Sequence, residues 1–545
     1  MELRDYQKRQ LNYLMTKDNT KEVVGIESPT GSGKSFVILS YIKHYFNKYN
    51  DQTIVITTGS NNLVYDFANT AAKFGLDPII YVGSSMLTCY EKEVFLENSN
   101  RNQVFSRDRE DLCSTVKSQK RVIDEETGNL KVCDQCKKCK FPHLKELKEE
   151  LHTYGNHLII TNHQAYLTHV FADKPIYKPD MVIVDEAHMF GTFYSNWLNV
   201  DISKNEVANI IAALGDKPQA MLFKTFLERG EPIPTQLLNR IIELIKAYYK
   251  KIPNMSQYGY ELCSRLINFS SDFKNNEDVY FIISPSGMTR INFWHKFNIA
   301  QSTIKYRLFT ATLDRFTRIM FGMNPDDYDN NFYIEKNLNL IDYTKSDAYV
   351  IKINDFNTAL NDFIKLCEEK DYKSGLILST TIENVSNLKE QGNVGRYKVY
   401  TKINDFRDAD GYKVLVGSRA MFQGIDIPEI NFVAINKIPF ETYDEEFKKR
   451  VVYLKKWASI DPWTDYSIPL VKNSLIQSTG RLWRGPDNFG SIAIFDGRLV
   501  ERFKYLLDTI IDVRNGISLY ISGNDKSDLV EDFEEIIQDE SKIKK

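Results

Sequence analysis

Val23-Val24-Gly25-Ile26-Glu27-Ser28-Pro29-Thr30-Gly31-Ser32-Gly33-Lys34-Ser35 decides how this chain reads. A short apolar run predicts a buried strand, and the helical pattern after Ser35 predicts a helix. Between them lies a loop of the form G/A-x-x-x-x-G-K-S/T, with Ser28 in the first position instead of Gly or Ala. Glycines let backbone N–H groups approach a phosphate, and a helix N-terminus favours the anion. Thr30, Gly31, Ser32, Gly33, Lys34 and Ser35 are therefore candidate nucleotide-binding residues. Lys34 would place a cation on the β- and γ-phosphates, and Ser35 would hold Mg²⁺.

Further apolar runs also lead into chemically loaded ends. Residues 53–57 run into Thr58-Gly59-Ser60, 181–184 into Asp185-Glu186-Ala187-His188, and 307–309 into Thr310-Ala311-Thr312. Such runs alternating with helical patterns predict a parallel α/β sheet whose ligands collect at the carboxyl ends of its strands. Asp185 is the candidate magnesium carboxylate, acting through water, and Glu186 the group that polarises an attacking water. A second set of runs, at 349–353, 376–378, 414–416, 432–435 and 491–495, predicts a second α/β domain of similar build. Late in the chain stands Gln477-Ser478-Thr479-Gly480-Arg481-Leu482-Trp483-Arg484, preceded by Gly424-Ile425-Asp426. Arg481 and Arg484, three apart, fall on one helix face. From another domain they would reach the γ-phosphate and stabilise transfer.

Composition narrows the class. The 545 residues are 42% apolar and carry a net charge of −3, so packed cores are expected and any polyanion must bind in a local groove. No apolar run reaches the roughly 18 residues that span a bilayer, so no membrane partner is expected. Met1-Glu2-Leu3-Arg4-Asp5 lacks a secretory form. The expected location is the cytoplasm, a host's if the A+T-rich residue usage marks a phage gene. Five of the seven cysteines lie between Cys89 and Cys139; Cys263 and Cys367 stand apart as small apolar residues. In a reducing compartment the cluster reads as metal binding. Cys133-Asp134-Gln135-Cys136-Lys137-Lys138-Cys139 has C-x2-C-x2-C spacing, which suits an iron–sulfur cluster or zinc alike. The neighbouring Lys131, Lys137, Lys138 and Lys140 suit phosphate contact or a solvated face equally.

From residue 4 to about 500 the order of these elements resembles superfamily 2 helicases, specifically the XPD/DinG-like iron–sulfur family. Arg4-Asp5-Tyr6-Gln7 is similar to the adenine-reading element, with Gln7 as reader. Residues 27–35 resemble motif I, 57–60 with Asn62-Leu63 motif Ia, and 158–167 the strand and N-H turn before motif II. Asp185–His188 resembles motif II in its DEAH form, and Thr310-Ala311-Thr312-Leu313 motif III, with Thr310 where Ser is usual. Leu378-Ser379-Thr380 sits where motif IV belongs. Residues 422–428, including Asp426 as a cofactor-site residue, resemble motif V, and Gln477 to Arg484 motif VI.

The resemblance implies two RecA-like parallel-sheet motor domains with two insertions in the first. Residues 1–83, 151–189 and 301–335 would form the first motor domain, 84–150 an iron–sulfur insertion and 190–300 a mostly helical arch. That arch would include a hairpin near 279–294. Residues 336–545 would form the second motor domain with a charged tail. Position between motifs Ia and II implies a 4Fe-4S cluster on Cys89, Cys133, Cys136 and Cys139, with Cys113 as an alternative ligand and zinc as an alternative metal. ATP and Mg²⁺ are the remaining cofactors. Expected partners are single-stranded and forked duplex DNA, and the chain is expected to be a monomer. Movement would be 5′→3′, in repair, recombination or replication. Tyr166 and Phe422 are candidates for stacking on bases. A translocase that displaces proteins or RNA from DNA is the alternative. A nuclease is disfavoured because motif elements begin at Arg4, and a dead scaffold because Lys34, Asp185, Glu186, Arg481 and Arg484 are intact.

Overall fold

In the computed structural model of the chain the described residues are 3–29, 31–81, 153–170, 177–198, 304–324, 331–335, 345–352, 356–418, 430–441, 460–482 and 489–499, with short strands and isolated positions elsewhere. The first half runs α1 (Asp5–Thr16), β1 (Val24–Glu27), α2 (Lys34–Lys48), β2 (Thr53–Thr58), α3 (Asn61–Lys73) and β3 (Pro78–Tyr81). A two-strand ribbon follows, β4 (Val122–Ile123) and β5 (Leu130–Lys131). Then come β6 (His157–Asn162), α4 (His163–Val170), β7 (Met181–Asp185) and α5 (Ala187–Leu198). Beyond them lie β8 (Val200–Ser203), β9 (Val279–Ser284), β10 (Gly287–Asn292), β11 (Lys305–Thr310), α6 (Arg315–Met320) and β12 (Phe332–Ile334).

Seven strands form one sheet in the order β12-β1-β11-β7-β2-β6-β3. Every pairing in it is parallel. Parallel sheets are covered on both faces, so their strands are apolar throughout. Alternation then sends neighbours to opposite layers. Ile54 and Ile56 pack under α2 and α3, while Val55 faces Tyr166 and the α5 residue Phe190. The predicted hairpin is present as β9 and β10, antiparallel, and β8 joins it as an unforeseen third strand.

The second half adds β13 (Asp347–Ile351), α7 (Phe356–Glu369), β14 (Ser374–Leu378), α8 (Ile382–Gln391), β15 (Asn393–Val394), β16 (Tyr397–Tyr400) and α9 (Ile403–Arg407). It continues with β17 (Lys413–Gly417), β18 (Phe432–Ile435), α10 (Ile468–Thr479), β19 (Ser491–Ile494), α11 (Arg498–Glu501) and β20 (Ser518–Ser522). Its sheet has the order β15-β16-β17-β14-β18-β19-β13-β20, parallel except for the β15–β16 pair at one edge. All five apolar runs predicted for this half are strands. β20, pairing with β13, had not been predicted.

The halves meet along α10 and the chain leading into it. Leu454, Ile460 and Tyr466 are buried in the first domain's core. The Tyr466 ring stands edge-on to Phe316 at 5.1 Å. This junction fixes where α10 crosses the carboxyl edge of the first sheet.

Candidate active site

The loop after β1 is shaped by glycine. Gly31 and Gly33 both adopt φ +76°, a left-handed conformation that residues with a Cβ adopt at a cost. A Cβ at Gly33 would also lie 2.6 Å from the Gln7 amide nitrogen. Gln7 donates that N–H to the carbonyls of Ser32 (3.0 Å) and Gly33 (3.4 Å), and its Oε1 accepts from the Arg4 N–H. Tyr6 donates to the Ser32 carbonyl as well. α1 is therefore pinned to the loop by the residues of the predicted adenine-reading element. Ser28 keeps the pattern's first position by bonding Ser32 through their hydroxyls at 2.7 Å, while Gln10 donates to the Ser28 hydroxyl. Thr30 lies outside the described residues.

Lys34 opens α2 and is 8% exposed. Its ammonium donates to the Ser28 carbonyl at 3.3 Å and stands 4.0 Å from the Glu186 carboxylate. Ser35 follows it, partly exposed, in the first turn of α2. Asp185 ends β7, is buried, and accepts from the Thr58 hydroxyl at 3.4 Å. Burial first, and the neighbouring Glu186 charge second, push its carboxyl well above the usual range, against the pull of Lys34. Such a carboxylate gains by meeting a cation. Glu186 sits at φ +52°, a strained backbone for a side-chain-bearing residue and one often found at active sites. The cradle, the cation and the raised carboxyl together fit a magnesium nucleotide. Lys34 would face its phosphates, and Ser35 with Asp185 its metal, which would supply charge neutralisation on the phosphates. Among the described residues no group of three or more His, Cys, Asp or Glu side chains forms a metal site.

The second domain enters through one face of α10. Gln477 donates its amide to Glu186 Oε2 at 3.3 Å and to His188 Nε2 at 2.9 Å. His188 Nδ1 then donates to the Thr310 hydroxyl at 2.7 Å, the tautomer consistent with Nε2 as acceptor. Burial lowers the His188 pKa, keeping the ring neutral for that role. One turn earlier on α10, Asn473 accepts from the Thr312 hydroxyl and donates to Asp314 at 3.4 Å. Asp314 in turn caps α6 through the Thr317 N–H. Glu27 accepts from the Leu313 N–H at 2.8 Å, tying the loop after β11 to β1.

Sequence reasoning named Gln477 as a site residue and placed Thr58 and Thr312 in motifs without a role, but missed Asn473 and Asp314. Asn473 was within reach of the pattern, because four residues separate it from Gln477 and put both on one face. Other expectations need correction. Tyr166 is fully buried, its hydroxyl spent on Tyr306 at 2.8 Å, and Phe422 is 1% exposed, so neither ring is open to a base. α10 ends at Thr479, and Arg481 lies in a following 3-10 turn, not on a continuing α-helical face. Its guanidinium donates to the Met421 carbonyl at 2.7 Å. Arg484, Asp426, Cys89, Cys113, Cys133, Cys136 and Cys139 lie outside the described residues. Among those described, the free thiol is Cys367, buried as expected.

Two parallel sheets, a phosphate-shaped loop with its lysine beside an acidic strand end, and a bridging helix from the second sheet define a two-domain RecA-like motor fold. A family model described as the type III restriction enzyme res subunit matches residues 1–213, and one described as a helicase C-terminal domain matches 359–510. The chain is 28% identical to the ATP-dependent DNA helicase DinG of Photobacterium profundum over 24% of its own length and 19% of that protein's. It is 33% identical to the ATP-dependent DNA helicase YoaA of Haemophilus influenzae over 17% of its own length and 14% of that protein's. These alignments thus span less than a fifth of either relative. A solved XPD helicase superimposes with a TM-score of 0.61 at 14% identity, covering 96% of this chain and all (100%) of that one. An Xpd protein of S. tokodaii superimposes with a TM-score of 0.57 at 13% identity, covering 95% and 100%. At such identities the likeness shows the fold. In fold, motif order and matched segments the chain is similar to XPD/DinG-like helicases of superfamily 2.

Proposed function

We propose that the chain is an ATP-dependent DNA helicase that moves along single-stranded DNA. The observation that carries this reading is the Glu186–Gln477–His188 bridge, because it joins the hydrolytic carboxylate of one domain to a helix of the other. Lys34 binds phosphate charge, Glu186 orients and polarises the attacking water, and Gln477 holds Glu186 in place when the domains meet. Hydrolysis would then open and close the cleft, and DNA on the strand-end faces would be carried along. The names of the DinG and YoaA relatives support ATP and DNA as the ligands. Movement 5′→3′ and work on repair, recombination or replication intermediates belong to the same proposal.

The proposal includes a 4Fe-4S cluster on Cys89, Cys133, Cys136 and Cys139. The support is the triplet spacing and the placement of the cysteines between β3 and β6. Such a cluster would fold an insertion this polar. Anaerobically purified protein should be brown with about four irons and little zinc per chain, and Cys136→Ser should bleach it. A colourless protein with one zinc would remove the cluster and keep the motor.

The motor reading is tested by ATP-dependent strand displacement from forked duplexes carrying a 5′ or a 3′ tail. Displacement from the 5′-tailed fork is expected. Stripping of bound protein without any strand separation would make the chain a translocase.

A further inference from the structure

His163 is a buried, titratable side chain that the hydrolytic scheme does not use. It opens α4 directly after β6, where three elements converge. From β2 the Thr57 hydroxyl meets its Nδ1 at 2.9 Å. From α5, the helix behind the acidic pair, Phe190 and Phe193 stand edge-on to its ring, each at 5.3 Å. The ring is fully buried and also lies against the Asp185 backbone. The next residue of β2, Thr58, reaches Asp185. One strand end therefore touches the acidic pair directly through Thr58 and, through Thr57 and His163, the helix behind it.

The same strand end carries a polar, partly exposed face. Asn162, adjacent to His163, donates its amide to Asn61 and accepts from the Ala165 N–H at 2.7 Å. Ser60 caps α3 beside them. This face lies at the carboxyl ends of β2 and β6, where open parallel sheets receive ligands. β2 is hydrogen-bonded to β6 on one side and to β7 on the other. His163 is the side chain beside the Asn61–Asn162 bridge that contacts both β2 and α5.

We propose that His163 is a positioning residue linking a single-stranded nucleic acid on the Ser60–Asn61–Asn162 face to the acidic strand end, so that strand binding accelerates hydrolysis. This rests on the DNA-motor reading above. A histidine that only filled space would be replaced without loss by Phe, which keeps the ring and removes the nitrogen that Thr57 meets. Asn removes the ring but can keep a polar atom near the Nδ1 position.

The test compares wild type, His163→Phe and His163→Asn for ATP hydrolysis with and without oligothymidylate, alongside binding of the fluorescent oligonucleotide. Basal hydrolysis, the KM for ATP and oligonucleotide affinity should stay near wild type in both variants. Stimulation by the strand should fall about tenfold in His163→Phe, which loses the Thr57 contact, and also in His163→Asn, which loses the ring against Phe190 and Phe193. Wild-type stimulation in His163→Phe would overturn the link. So would equal proportional loss of basal and stimulated rates, which would make His163 a packing residue. A wild-type protein that binds the strand without any stimulation would instead overturn the motor reading, and the link with it.

Discussion

The two sheets present different chemistry at the carboxyl ends of their central strands. In the first, Lys34, Asp185 and Glu186 crowd one cleft, and two of the three are buried. In the second, the ends of β14 and β18 present a neutral knot: Asn436 donates to the Ser379 hydroxyl at 3.2 Å, and Ser379 bonds Thr381. Where the domains meet at the acidic pair and the β11 loop, α10 offers the amides Gln477 and Asn473. At this junction the charge comes from the first domain and α10 meets it through neutral hydrogen bonds, while the second sheet keeps its own ion pair, Asp496 with Arg498, beyond β19. A buried ion pair across the cleft would have to be desolvated at each closure. Amide bonds contribute only about 0.5–1.5 kcal/mol each and are easily exchanged for water, which suits the opening and closing proposed for this cleft.

If chemistry resides in the first sheet, Lys34→Ala should leave no measurable ATP turnover in a steady-state assay while the circular dichroism spectrum is unchanged. Substantial turnover would dissolve the contrast at its root. Glu186→Gln should slow turnover by about 10²–10⁴-fold while equilibrium ATP binding persists. Loss of binding would show that Glu186 holds the nucleotide instead of working on water. The second sheet's part should be smaller. Gln477→Ala should lower kcat about tenfold with little change in ATP affinity, and an affinity loss of the same size would place Gln477 in the binding site proper.

The smallest effect is a pH dependence inside the first sheet. Burial, helped by His188, pushes the His163 pKa down to about 3. Below its ordinary value near 6.5, the unfolded chain takes up a proton that the folded chain refuses, so this histidine's contribution to stability is lost as pH falls from there toward 3. Urea unfolding should therefore show His163→Phe gaining on wild type by about 1.4 kcal/mol per pH unit below roughly 6. A pH-independent difference would mean the ring is solvated or charged in the folded state.

The sequence showed strands and loops in this molecule better than it showed partners. The runs before Ser28 and Asp185 are apolar throughout because both faces of a parallel sheet are covered, and their chemical ends stood out by contrast. β20 escaped because Ser518-Leu519-Tyr520-Ile521-Ser522 lies next to a charged tail and pairs only with β13, 167 residues or more upstream. Tyr166 and Phe422 were misjudged because an aromatic beside a motif looks the same whether its ring faces solvent or Tyr306. The bond from Gln477 to Glu186 spans 291 positions, and no local pattern reports it. Likewise, nothing local says that Tyr466 enters the other domain's core.

The central claim, that strand binding drives the cleft, is tested most directly by ATP hydrolysis of the intact chain titrated with single-stranded DNA, with Glu186→Gln as the background control. The account predicts a rate that rises saturably with the strand, with an apparent strand affinity that weakens with salt on a log–log slope of about −0.7 per phosphate contacted. A rate unchanged by saturating strand, in protein that binds it, would contradict the account.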